Sequence, residues 1–99
     1  MKLKLTKAEM QALEAWLSIV VSSGTPNGLR NKLLVAIMIK FYEKVAKSLV
    51  STKKNYTMKL DDATCIAFVL LFLPAHFNPV HFADNLMLKL INQFQQHYA

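Results

Sequence analysis

The sequence predicts an all-α domain of four helices arranged as two antiparallel hairpins, with a very short two-stranded ribbon from residues 2–5 and 56–60. Three observations predict this class. Apolar residues recur at three- and four-residue spacing through most of the chain. Two Gly and three Pro in 99 residues are too few for the turns of a β-sandwich. The third is residues 63–73, ATCIAFVLLFL, in which Thr64 is the only polar side chain. A helix with no face for water has to be enclosed by neighbours or by lipid. This run is about half of the ~20 residues a membrane span needs, and Pro74 follows it. It is expected to be the central buried element of a small soluble domain covering residues 1–99.

The first five residues, MKLKL, alternate polar and apolar and read as a short extended entry. Thr6 then starts a helix: its hydroxyl can accept from the Glu9 amide while Glu9 reaches back to the Thr6 amide. Leu5 and Met10 stand where a hydrophobic staple across that cap requires them. Met10, Leu13, Leu17 and Val20 make the apolar stripe of this first helix, which is expected to run to Ser22 and to stop at Gly24.

Thr25-Pro26 offers a new cap and first helical residue, with Asn27 as the competing cap. The second helix is expected to be the longest, from residue 26 or 28 to residue 49 or 51, with Leu34, Ile37, Met38, Phe41, Val45 and Leu49 on its apolar face. After the linker STKKN, Tyr56, Met58 and Leu60 alternate with Thr57 and Lys59 as a second extended entry. Asp61 caps the apolar helix, with Asp62 in its first turn where the helix dipole favours negative charge. Asn78-Pro79 is expected to begin the last helix, whose stripe is Val80, Ala83, Met87, Leu90 and Phe94. Residues 3–13, LKLTKAEMQAL, align with residues 58–68, MKLDDATCIAF, so each half reads as entry, capped helix, turn and helix. That similarity fits either an ancient duplication or two uses of one cap chemistry.

The totals narrow the function. Hydrophobic residues make up 54% of the chain and mean hydropathy is +0.25, high for a chain with so much surface for its volume. Either the core is unusually well filled or one apolar face is covered by a second chain, and the second reading is preferred. Twelve Lys and Arg against six Asp and Glu give a net charge of +6, which favours contact with polyanions. Cys65 is the only cysteine, so no intrachain disulfide can form and a reducing cytoplasm is expected. Glu9 and Glu14 interrupt the apolar stretch that a secretory signal would need.

Catalysis and metal binding find little support. The turn GTPNGLRNK, residues 24–32, has the wrong glycine spacing for a phosphate loop and follows a helix; Arg30 and Lys32 at the next helix start could still hold an anion. His76, His81 and Asp84 have metal-ligand chemistry, but two histidines flanking a proline-bounded turn are more often packing or capping groups, and no further strong ligand lies nearby in sequence. Cys65 lies in an apolar run that keeps a thiol protonated and inert. No enzyme, cofactor or metal is expected.

Two interaction surfaces remain. The preferred reading is a non-enzymatic interaction module that self-associates, as a homodimer, through Met87, Leu90, Ile91, Phe94 and Tyr98 on the last helix, whose other face carries Asn and Gln with little charge. The alternative is an accessory nucleic-acid binder using a lysine-rich face of Lys40, Lys44, Lys47, Lys53, Lys54 and Lys59, with Arg30 and Lys32 as further possible nucleic-acid or anion contacts. Lys2, Lys4 and Lys7 join that set if the two extended entries lie together. A merely solvated basic face is the plainer alternative to any contact.

Overall fold

The computed structural model describes residues 1–22, 27–73, 77–78 and 80–98. The order is β1 (Lys2–Thr6), α1 (Lys7–Ser22), α2 (Gly28–Ser48), β2 (Asn55–Lys59), α3 (Asp62–Phe72) and α4 (Phe82–Tyr98). The protein is thus mostly α, and the ribbon expected from the two alternating entries forms.

Strands β1 and β2 pair antiparallel, with Lys2 opposite Lys59, Leu3 opposite Met58 and Leu5 opposite Tyr56. Because side chains alternate along a strand, Leu3, Leu5, Tyr56 and Met58 all turn into the core while their neighbours face outward. The ribbon closes at its end through Met1, whose amino group donates to the Leu60 carbonyl at 3.0 Å and whose carbonyl accepts from the Leu60 amide at 2.8 Å. Leu3 and Met58, which hold the same place in the two aligned motifs, are direct partners here. A local two-fold axis therefore passes through that pair. The equivalence extends into the helices, where Met10, Leu13 and Leu17 of α1 and Cys65, Phe68 and Phe72 of α3 are all buried.

Each strand feeds a capped helix. Thr6 Oγ1 accepts from the Glu9 amide at 3.2 Å and Glu9 Oε1 from the Thr6 amide at 3.0 Å, the reciprocal box read from the sequence. Asp61 Oδ1 accepts from the Thr64 amide at 2.8 Å and so starts α3. Asn27 precedes α2 with no side-chain cap bond, and Gly28 takes φ +81°, where a Cβ would be strained. The expected stop at Gly24 and the Thr25-Pro26 start lie outside the described residues.

α1 packs on α2 and α4, and α3 packs on the same two helices. α1 and α3 leave the ribbon, whereas Lys44 near the end of α2 donates to the Lys59 carbonyl and Tyr98 at the end of α4 donates to Asp62 Oδ1 at 2.8 Å. Neighbouring helices therefore run antiparallel around a closed ring, with the ribbon at one end. The α2–α3 and α1–α4 contacts join what the sequence suggests as two hairpins into that ring.

At its centre Phe68, fully buried, meets Phe41, Phe72 and Phe94 edge-on at ring separations of 6.2, 4.8 and 5.3 Å. Edge-to-face contact sets the positive rim of one ring against the negative face of another. Trp16 extends the cluster, 4.4 Å from Phe72 and 6.1 Å from Phe77.

Three expectations need correction. α4 begins at Phe82 rather than at Asn78-Pro79, because Asn78 Oδ1 takes the Val80 amide at 3.1 Å and the Asp84 carboxylate folds back on the Asn78 amide at 2.9 Å, holding a turn there; Pro79 is outside the described residues. Val80 is exposed and does not join the α4 stripe. Nor is α3 enclosed on every side: four helices in a ring cover only its inner face, and Ile66, Leu70 and Leu73 stay 44%, 44% and 51% exposed.

Candidate nucleic-acid interface

The outer face of the ribbon presents Lys2, Lys4 and Thr6 from β1 and Asn55, Thr57 and Lys59 from β2. This follows from the alternation that buries Leu3, Leu5, Tyr56 and Met58. The condition under which Lys2, Lys4 and Lys7 join the basic set is met. The pairing sets Lys2 directly opposite Lys59, and like charges in that position disfavour the ribbon. Lys7 stands at the first residue of α1, where the helix dipole disfavours a cation.

The linker is fastened beside this face. The Tyr56 hydroxyl donates to the Ser51 carbonyl at 2.6 Å and accepts from the Lys53 amide at 3.2 Å, and the Lys7 amide donates to the Lys54 carbonyl at 3.0 Å. Lys53 and Lys54 are thereby held next to the ribbon, with exposed side chains. Lys44 and Lys47 lie at the same end of the ring, on the last turns of α2.

Two carboxylates close to this face, Glu9 and Asp61, are already occupied. Burial tends to raise the Glu9 pKa, but the Thr6 amide and the Lys89 ammonium, 3.1 Å from Oε2, outweigh it and leave it lowered. Hydrogen bonds from Thr64, side chain and amide, hold the Asp61 carboxyl low, and Lys44 adds to this. A group with a lowered folded-state pKa contributes stability in full above its unfolded value and loses it as pH falls through the folded one. Urea midpoints are therefore expected to fall below about pH 4. Asp61→Asn keeps a cap acceptor and should flatten that decline while changing the midpoint little at pH 7, measured by fluorescence.

The predicted anion-contact residues divide. Lys44, Lys47, Lys53 and Lys54 gather at the ribbon, and Lys40 lies one turn before Lys44 in the groove between α2 and α3. Arg30 and Lys32 lie in the first turn of α2, roughly 20 Å along the helix from Lys44 at 1.5 Å per residue. They cannot share one local contact with it. Thr6, Asn55 and Thr57 escaped the sequence reading as site residues, although the alternation of both strands was the signal that places them.

The predicted self-association face is placed elsewhere than expected. Met87, Leu90, Ile91 and Phe94 are buried in the chain's own core, because this stripe closes the ring against α1 and α3. Tyr98 is half-buried and bonded to Asp62, whose carboxylate pushes the phenol pKa up. Burial likewise pushes the Cys65 thiol up. His76 lies outside the described residues, His81 is exposed, and Asp84 is taken by the Asn78 amide. Among the described residues no group of three or more His, Cys, Asp and Glu could hold a metal ion, and no helix is long and apolar enough to cross a membrane.

No protein-family model, curated protein or solved structure matches the chain.

Proposed function

We propose that the protein is a non-enzymatic nucleic-acid-binding module that contacts phosphates through the outer face of its ribbon. The observation that carries this reading is the placement of Lys2 against Lys59, with Lys4 beside them and Lys7, Lys53 and Lys54 at the rim. Folding alone disfavours such a cluster, and a bound polyanion relieves its repulsion. A two-stranded ribbon is narrow enough to enter a duplex major groove, where Thr6, Asn55 and Thr57 would meet base edges or phosphates. The only arginine, Arg30, is at the far end of α2, so the contact is phosphate-dominated and tolerant of sequence. The reducing cytoplasm inferred from the single cysteine suits such a role.

The homodimer through α4 is not carried forward, since its side chains would have to leave the core. The wider reading of an interaction module survives at the exposed strip of α3.

The test is fluorescence anisotropy with a labelled DNA duplex over a salt series. Three to six lysine contacts predict a slope of log affinity against log salt between about −3 and −5. Failure to bind at low salt, or an affinity indifferent to salt, refutes the reading.

A further inference from the structure

We propose that the exposed strip of α3 is the docking face for an acidic amphipathic helix of a partner protein. The strip is Ala63, Ile66, Leu70 and Leu73, spaced three, four and three residues apart, which puts all four on one side of the helix. It is about 15 Å long, three helical turns, and no charged residue occurs from 63 to 73.

A groove flanks the strip on each side, and the two grooves differ in charge. On the α4 side a groove of about 500 Å³ is lined by Ile66, Leu70, Phe94, Gln95 and Tyr98, all uncharged. On the α2 side a groove of about 300 Å³ has Ile37, Lys40 and Lys44 facing Ala63 and Thr64. Those three α2 positions share one edge with Arg30 and Leu33 at helical spacing. Leu33 is well exposed, and Arg30 and Lys40 are exposed as well. α2 and α3 run antiparallel with Lys44 beside the ribbon end of α3, so residues earlier in α2 lie toward the end of the strip at Leu73. Arg30 therefore closes the basic edge near the outer end of the strip. Asp61, in the same groove, is tied to the Thr64 amide.

An apolar floor with one basic and one neutral border matches an amphipathic helix whose apolar stripe seats on Ile66 and Leu70 and whose acidic flank faces Arg30 and Lys40. A second copy of a chain with net charge +6 supplies no comparable acidic flank. Ile66, Leu70, Arg30 and Lys40 lie away from the ribbon's outer face and only Lys44 stands at both places, so either proposal can fail without the other.

The probes are two synthetic amphipathic helices with the same leucine stripe, one flanked by Glu and one by Lys. The Glu peptide should bind about tenfold or more tightly than the Lys peptide by anisotropy, and shift amide resonances on α2 and α3 in NMR spectra. Leu70→Asp, at an exposed position, should weaken binding about tenfold with the amide spectrum otherwise retained. Lys40→Glu should do the same at unchanged stability. The proposal is overturned by no binding of the Glu peptide, by equal affinity for both peptides, or by shifts on another surface. It is also overturned if sedimentation shows a dimer that Leu70→Asp converts to monomer, which would assign the strip to a second copy.

Discussion

Phe68→Ala is expected to destabilise the protein by about 3–5 kcal/mol, a loss read directly as a lower midpoint in guanidinium unfolding. The ring is fully buried and meets three other aromatic rings, from α2, from its own helix and from α4. Removing it costs the transfer energy of the side chain, and also leaves a cavity between three of the four helices that they cannot close without shifting. A domain of this size has about 5–15 kcal/mol to lose, so the variant should be close to half unfolded under mild denaturant. Ile66→Ala, two residues earlier, is the control: Ile66 is already about half exposed, and its truncation should cost well under half as much. Equal losses at the two positions, or a loss below about 1 kcal/mol at Phe68, would mean that the core is not centred on this helix.

That pair of residues also shows how far the sequence could be read. Phe68 and Ile66 belong to the same uninterrupted apolar run, so periodicity cannot separate the inner from the outer face of α3. The separation comes from the ring arrangement, which leaves one side of each helix outward. α1 was the opposite case: its polar stripe leaves one apolar orientation, and Met10, Leu13 and Leu17 are buried as expected. α4 went astray for a related reason. Met87, Leu90, Ile91 and Phe94 form a good stripe, and a good stripe has the same pattern whether it meets its own chain or another. The ribbon was legible because alternation, two caps and a repeated motif all agreed. Its outer face was legible only conditionally, since the pairing that joins Lys2 and Lys4 to Lys59 spans most of the chain. Arg30 and Lys32 read as a possible anion contact at the start of α2, and only the length of that helix shows that they stand apart from the later lysines.

Lys59→Glu should change stability and binding in opposite directions. Stability should rise by roughly 0.5–1 kcal/mol, because a like-charge pair with Lys2 becomes an attractive one across the ribbon. Nucleic-acid affinity at low salt should fall about tenfold or more, and the salt slope should shrink by about 1–2, because a phosphate contact is replaced by a repulsion. Arg30→Glu is the matched control. It lowers the net charge by the same two units, but at the end of α2 remote from the ribbon. If long-range attraction to a +6 chain were the whole of binding, the two variants would weaken it equally. A local interface requires Lys59→Glu to weaken it several-fold more. A gain in melting temperature together with that loss of affinity would show that the ribbon keeps Lys2 and Lys59 face to face at the expense of its own stability. A lysine placed there only to keep a free strand edge from pairing with another chain gives a different result: Glu would serve that purpose equally well, and affinity would fall no further than in the Arg30 control.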